Sequence, residues 1–180
     1  AYYNRSLAYF YQGKYDLAIA DLNQSLEIDP KNTKSYLVRG KSYSSLKEYE
    51  LAIHDFNKVI ESEPNNAQTY ILRGSTYSSM EKYELAIKDF DKALEIDPSN
   101  YSVYRERGYV YYSMSDYEKA IRDFDKVLTI DAKDEETYIY RANAYLAIGN
   151  YDWALLDYQR AVNLNTNNPN IYYYRGIVYI

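Results

Sequence analysis

Apolar residues recur along this chain at steps of three and four, and the whole pattern returns at a fixed interval. Such steps place apolar side chains on one face of an α-helix, whereas a strand would alternate polar and apolar residues. The interval is 34 residues, as Pro30, Pro64 and Pro98 show. Each interval contains two amphipathic segments and one tight turn, so the pattern predicts a chain built from repeated pairs of helices.

Particular residue types occupy the same position in successive repeats. Most of the 26 tyrosines fall into three such columns, so the tyrosine excess serves the architecture first. One of the three columns runs through Tyr15, Tyr49, Tyr83, Tyr117 and Tyr151. Two tyrosine columns belong to the predicted first helices: Tyr2, Tyr36, Tyr70, Tyr104, Tyr138 and Tyr172, and Tyr9, Tyr43, Tyr77, Tyr111, Tyr145 and Tyr179. One column of small residues and one of large residues accompany them: Ser6, Gly40, Gly74, Gly108, Ala142 and Gly176, and Leu22, Phe56, Phe90, Phe124 and Tyr158.

The predicted helices begin at residues suited to helix ends. An asparagine or aspartate precedes each first helix after the opening one, namely Asn32, Asn66, Asn100, Asp134 and Asn168. These side chains accept hydrogen bonds from the unpaired amides at a helix start, so we expect them to act as N-caps. The second helices open with an acid, which complements the positive end of the helix dipole.

One repeat shows the combined motif in full, at Tyr36, Arg39, Gly40, Tyr43, Tyr49, Ala52, Phe56 and Pro64. This motif resembles the tetratricopeptide repeat. The resemblance covers a single array over residues 1–180, divided into repeats 1–32, 33–66, 67–100, 101–134 and 135–168 and a partial repeat 169–180. It implies an all-α fold, a right-handed superhelical solenoid of stacked antiparallel helix pairs. The first helices would line a concave groove and the second helices would face outward.

An arginine column lies beside the small residues: Arg5, Arg39, Arg73, Arg107, Arg141 and Arg175. An aspartate follows each of the first five by sixteen residues, at Asp21, Asp55, Asp89, Asp123 and Asp157. The next arginine follows each aspartate by eighteen residues, so pairing within a repeat or across a repeat junction is compatible with the spacing. Bidentate arginine–carboxylate pairs are geometrically exacting. We interpret the column as structural pairing, with ligand contact as the alternative.

Positions that vary between repeats are the candidate binding residues. In the tetratricopeptide family such positions of the first helices face the groove. The candidates for a partner-binding groove are Tyr3, Asn4, Leu7, Tyr11, Lys34, Leu37, Lys41, Gln68, Ile71, Ser75, Arg105, Tyr109, Tyr112, Glu136 and Asn143, and Tyr173 would continue the line. Most charges in this set are basic, while the outward helices carry acids. The expected ligand is a peptide or helix of a partner protein, neutral to mildly acidic, and the alternative for the rings is packing between neighbouring first helices.

Two other functions compete with a general scaffold. Chaperone-binding members of the family hold the C-terminal carboxylate of Hsp70 or Hsp90 with lysine, asparagine and arginine side chains. By resemblance Asn4 and Lys34 occupy two of these positions, but the expected arginine is Val38 here and Arg39 is displaced by one residue. The other alternative is a structural module that self-associates end to end.

Composition excludes several classes of function. A net charge of −5 offers no clustered basic face for nucleic acid. The chain has no cysteine and one histidine, His54, so no zinc-binding set is expected. No apolar run approaches the roughly 20 residues of a membrane helix. We therefore expect no catalysis, no cofactor, no metal and no membrane insertion, in a cytoplasmic protein.

The C-terminal residues Ile177–Ile180 are apolar and follow a first-helix pattern with no second helix after it. Repeat arrays need a polar terminal helix for solubility. This predicts a fragment of a longer array whose ends stack on other copies head to tail.

Overall fold

The computed structural model describes residues 1–164 and Gly176, and these form two compact units. The N-terminal unit spans Ala1–Asp97 and the C-terminal unit spans Pro98–Ile180. Residues 1–164 contain ten α-helices and no strand. The predicted partial repeat 169–180, with Tyr173, and the cap Asn168 lie outside the described residues apart from Gly176.

Each unit is a stack of helix pairs joined by short turns. The N-terminal unit contains α1 (Tyr2–Tyr11), α2 (Tyr15–Ile28), α3 (Thr33–Ser45), α4 (Tyr49–Ser62), α5 (Ala67–Ser79) and α6 (Tyr83–Ile96). The C-terminal unit contains α7 (Tyr101–Ser113), α8 (Tyr117–Ile130), α9 (Glu135–Ala147) and α10 (Tyr151–Leu164). Odd-numbered helices are the first and even-numbered helices the second of each pair. The predicted all-α architecture of stacked helix pairs is confirmed.

A left-handed residue closes every turn within a pair. Gly13 (φ 72°) and Gly149 (φ 75°) take this conformation at no steric cost, whereas Lys47, Glu81 and Ser115 adopt it with a side chain. The next amide then donates to a carbonyl five residues back, as from Lys14 N to Tyr9 O at 2.9 Å. This hydrogen bond satisfies a carbonyl at the end of the first helix, which offsets the roughly 1–2 kcal/mol that a non-glycine residue loses there.

The predicted N-caps form at three of the four described positions. Asn32, Asn66 and Asp134 each accept a hydrogen bond from the amide three residues later, at 3.0–3.2 Å. The prediction is wrong for Asn100, whose side-chain oxygen instead accepts from the Ser102 hydroxyl at 2.7 Å. The physical reason is local competition, because a serine two residues into the helix offers a nearer donor. The other repeats have a longer side chain there.

The core of each pair forms where the small and large columns meet. The large residues Leu22, Phe56, Phe90, Phe124 and Tyr158 are all fully buried. A Cβ built on Gly108 would lie 2.6 Å from Cε1 of Phe124, and one on Gly40 would lie 2.7 Å from Cε1 of Phe56. The phenylalanine ring therefore occupies the space that a side chain on the facing glycine would need, so the two columns depend on each other.

Gly108→Ala tests this dependence. Overpacking a filled core costs about 1–3 kcal/mol, against roughly 1 kcal/mol gained by removing a glycine from a helix. We expect a net loss of stability in thermal unfolding, and the double variant Gly108→Ala/Phe124→Leu should recover part of that loss. A single variant more stable than the parent would show that the ring moves aside freely.

Candidate functional site

The arginine column pairs with aspartates inside its own repeats. In α3 and α4, Arg39 donates from Nε and Nη2 to the two carboxylate oxygens of Asp55 at 2.7 and 2.8 Å. The same bidentate arrangement joins four further pairs: Arg5–Asp21, Arg73–Asp89, Arg107–Asp123 and Arg141–Asp157. The sequence spacing is compatible with pairing within a repeat and with pairing across a repeat junction. The structure shows these bidentate pairs within the repeat.

A third nitrogen of several arginines reaches the preceding repeat. Arg39 Nη1 donates to Asn23 at 2.7 Å, and Arg141 Nη1 donates to Asp125 at 2.6 Å. Arg73 makes the corresponding bond to Asn57. Tyrosine rings flank the same guanidinium groups, with the Arg39 carbon atom Cζ at 5.4 and 5.9 Å from the ring centroids of Tyr36 and Tyr43. These arginines therefore link helices within and between repeats.

The arginine column is a structural element and offers little to a ligand. The side chain of Arg73 is 19% exposed and that of Asp89 is 5% exposed. Paired with Asp89, Arg73 has a pKa above its ordinary value, because the carboxylate stabilises the charged form. Arg5 has the same bond to Asp21 but remains 59% exposed. The predicted structural pairing is confirmed for the five described arginines, since each binds both carboxylate oxygens of the aspartate in its own repeat.

A cavity of about 410 Å³ lies on the first-helix face of the N-terminal unit. Three successive first helices contribute to its lining, and α4 contributes Phe56. The lining residues are Phe10, Lys41, Ser44, Ser45, Phe56, Leu72 and Ser75. Apolar side chains surround the space while serine hydroxyls and one ammonium group provide polar contacts, which is the usual composition of a ligand pocket.

Only two of the ten predicted groove residues of this unit line the cavity, namely Lys41 and Ser75. Tyr3 and Leu7 instead pack against the buried cluster of Ala18, Leu22 and Val38. Leu37 and Ile71 are half-buried elsewhere on α3 and α5. The remaining four side chains face solvent: Asn4, Tyr11, Lys34 and Gln68.

A larger cavity in the same unit, about 620 Å³, has a different character. Its walls include Arg73, Asp89, Lys92 and Glu95. Arg73 and Asp89 already bind each other, and Lys92 donates to Glu95 at 2.8 Å. Four of the charged side chains around this cavity are therefore matched within the protein.

In the C-terminal unit, aromatic rings occupy positions that correspond to the lining of the cavity around Lys41. Tyr109 and Tyr140 hold the positions of Lys41 and Leu72, and Phe124 holds that of Phe56. The Tyr109 ring centroid lies 4.4 Å from that of Tyr140 and 5.6 Å from that of Phe124. Tyr112 meets Tyr140 edge to face at 5.7 Å. The predicted groove residues Tyr109 and Tyr112 thus pack between neighbouring first helices, which was the alternative interpretation of these rings.

Charged groups border this aromatic cluster. Arg105 donates to Asp134 at 3.0 Å, so its charge is matched inside the unit. Burial raises the pKa of the Glu106 carboxyl, with Arg105 lowering it and Glu136 raising it. The Tyr109 hydroxyl has a raised pKa, chiefly from burial and then from the charge of Glu136. Asn143, the last predicted groove residue, accepts a hydrogen bond from the Tyr158 hydroxyl and is half-buried.

One variable column of the first helices contributes site residues that were not among the predicted groove residues after the first repeat. It runs Asn4, Val38, Leu72, Glu106 and Tyr140, and only Asn4 was chosen. The residue type in this column changes from amide to aliphatic to acid to aromatic, and such variation is the sequence feature that could have identified it as part of a binding surface. Leu72 lines the cavity, and Glu106 and Tyr140 belong to the aromatic cluster. Val38 is instead a core residue, so a single column serves packing in one repeat and surface chemistry in another.

Two further features concern the part of the chain that the structure describes, namely its potential metal ligands and the character of its helices. Among them, no group of three or more histidine, cysteine, aspartate and glutamate side chains is arranged to hold a metal ion. None of their helices combines the length and apolar character needed to cross a membrane.

Stacked antiparallel helix pairs, linked by buried arginine–aspartate bonds, define a helical-repeat protein. A profile of the tetratricopeptide repeat matches residues 1–32, 67–100 and 101–134, a second matches residues 33–66, and a TPR-repeat profile matches residues 142–180. The chain belongs to the tetratricopeptide repeat family. Members that act as scaffolds are generally not enzymes. No curated protein matches the chain significantly.

Solved structures share the fold. A crystal structure of MamA protein is 25% identical with a TM-score of 0.84, over 92% of this chain and 90% of MamA. MamA from Desulfovibrio magneticus RS-1, residue 41 to its end, is 18% identical with a TM-score of 0.87, over 93% and 95% of the two chains. YrrB, a TPR protein with an unusual peptide-binding site, is 18% identical with a TM-score of 0.83, over 97% and 90%. The likeness at 18% identity shows the fold alone.

Proposed function

We propose that this chain is a protein-interaction scaffold that holds a peptide or helix of a partner protein on the first-helix face of its repeats. The observation that carries the proposal is the cavity lined by α1, α3, α4 and α5. It has the mixed apolar and polar lining that a single anchoring side chain requires. The peptide-binding site named for YrrB supports a function of this kind, as does the family.

The chemistry of the cavity favours an apolar side chain next to a neutral or acidic group. Phe10, Phe56 and Leu72 provide apolar contact area. Lys41 lines the cavity, and Lys34 lies two helical turns away on the same helix with its side chain exposed. Two ammonium groups on one helix attract an acidic segment, and the serines leave room for a peptide backbone.

The chaperone-binding alternative receives less support from the geometry. Val38, at the position of the expected arginine, is 8% exposed and packs in the core of the first two repeats. Arg39 is bound to Asp55 and Asn23, so it does not replace the missing donor. Asn4 and Lys34 are exposed, and neither of them lines the cavity around Lys41. A general scaffold needs no such clamp.

Replacing two cavity residues by those at the equivalent positions of the C-terminal unit tests whether the cavity binds peptides. The full chain is used to select binders from a library of random peptides, and their affinities are measured by fluorescence anisotropy. Lys41→Tyr/Leu72→Tyr introduces the residues found at positions 109 and 140, whose rings pack together in the native C-terminal unit. We expect the selected peptides to combine apolar and acidic residues and to bind this variant at least about thirtyfold more weakly, since a hot-spot contact contributes about 2 kcal/mol or more.

The matched control makes the same two residue changes on a second helix. Leu51 and Lys58 lie on α4, with about half of each side chain exposed, so Leu51→Tyr/Lys58→Tyr should leave binding within about twofold. Circular dichroism verifies that both variants are folded. If the α4 variant lost binding and the cavity variant kept it, the binding face would be the outward one and the proposal would be wrong.

A further inference from the structure

The aromatic cluster of the C-terminal unit carries unmatched acidic groups. Within the described residues, Glu106 and Glu136 accept no hydrogen bond and form no ion pair, although Glu106 is half-buried. The nearest basic group, Arg105, is bound to Asp134. Two unpaired carboxylates therefore remain next to a surface of tyrosine rings.

Helix geometry places these groups on one face. Glu106 and Tyr109 are three residues apart on α7, and Glu136 and Tyr140 are four residues apart on α9, so each pair lies on one side of its helix. The contact between Tyr109 and Tyr140 joins the two sides. The charge of Glu136 acts on both Glu106 and Tyr109, which locates all four residues in one area.

A third polar group in this area has no partner. The Tyr109 hydroxyl oxygen exposes less than 1 Å² and makes no hydrogen bond within the described part of the chain. Buried polar atoms are rarely left unpaired, so an unpaired one indicates a site where a partner group is missing. Carboxylates only accept hydrogen bonds, and a hydroxyl oxygen can accept as well. A single cationic donor would satisfy the two carboxylates and could also donate to this hydroxyl oxygen.

We propose that Glu106, Glu136 and the rings of Tyr109, Tyr112 and Tyr140 form a binding site for a lysine or arginine side chain of the partner protein. The rings supply apolar contact and cation–π attraction, and the carboxylates supply charge. This site rests on the proposed scaffold function and adds to it. Its preference is opposite to that of the cavity around Lys41, so the two units select different segments of a partner.

The test uses small probes that carry only the side chain in question. The full chain is titrated with Nα-acetyl-arginine amide, Nα-acetyl-lysine amide and Nα-acetyl-citrulline amide, and amide shifts are followed by NMR. Citrulline has nearly the shape of arginine without its charge. We expect saturable shifts in α7 and α9 with the two cations and none with citrulline at the same concentrations.

The double variant Glu106→Gln/Glu136→Gln should bind the cationic probes at least about tenfold more weakly, as expected for the loss of charge-assisted hydrogen bonds. Glu118→Gln/Asp152→Asn removes the same charge from exposed positions of α8 and α10 and should leave probe binding unchanged. Thermal unfolding checks that both variants are folded.

Equal binding of citrulline, or full binding by the glutamine variant, would overturn the cation site. Those results would leave the scaffold function standing if peptides still bound the cavity of the N-terminal unit. Loss of peptide binding only in the Lys41→Tyr/Leu72→Tyr variant reports on the cavity, so the two proposals fail separately.

Discussion

Arg73→Ala should lower the free energy of unfolding by about 3–5 kcal/mol, because it leaves the buried carboxylate of Asp89 without its partner. The aspartate side chain is 5% exposed and receives two hydrogen bonds from this arginine at 2.7 Å. Removing the arginine also breaks the bond to Asn57 and the contacts with the rings of Tyr70 and Tyr77. Urea unfolding followed by circular dichroism measures the change.

Two comparisons separate the stranded charge from the lost contacts. Arg73→Leu/Asp89→Leu removes both charges, and we expect it to recover much of the stability, since an apolar pair often replaces a buried ion pair without loss. Arg5→Ala breaks the same bidentate bond at an arginine that is 59% exposed. Water can take the place of this exposed side chain and solvate the carboxylate of Asp21, so the effect should be clearly smaller. Unchanged stability of Arg73→Ala, together with weaker peptide binding, would make the arginine column a ligand-binding surface instead.

Phe90→Ala should cost about 3–5 kcal/mol of stability, the usual loss for a large side chain removed from a core. The ring is fully buried in α6 and fills the space opposite Gly74, where a Cβ would lie 2.9 Å from its Cε1 atom. Glycine has no side chain that could move into the vacated volume, so the cavity cannot close easily. Thermal and urea unfolding of the full chain measure the loss.

Leu85→Ala is the matched control for Phe90→Ala. Leu85 lies on the same helix and is 44% exposed, so its truncation should change stability by at most about 0.5 kcal/mol. A similar loss in both variants would mean that α6 is weakened by any truncation, and that the ring opposite Gly74 has no special role in joining the pair.

Much of the architecture could be predicted because it depends on local physics. The spacing of apolar residues specifies helices, and the recurrence of Gly40, Gly74 and Gly108 opposite large residues specifies where the helices of a pair approach. The sixteen-residue interval between arginine and aspartate indicated a pairing, and both partners lie in one helix pair, so little depends on distant parts of the chain. The exception at Asn100 is also local, since a neighbouring hydroxyl competes for the cap.

The candidate site could be predicted only in part, because side chains from different repeats share it. Whether Lys41 lines an open cavity depends on the volume of Leu72 in the next repeat. With Tyr109 and Tyr140 at the same two positions, the rings pack together instead. The repeat pattern gives the residue type at each position separately, so it does not show how much space two side chains from neighbouring repeats fill together.

The repeat, the helix pairs and the identity of the buried columns follow from periodicity and residue size, which can be read along the chain. Which variable residues are available for binding became clear only from the packing of the helices. Tyr3 and Leu7 became part of a core, Arg105 was neutralised by Asp134, and Glu106 remained unpaired. The physical reason is that burial and charge pairing at these positions depend on neighbours in adjacent helices, whose distances are set only when the repeats stack.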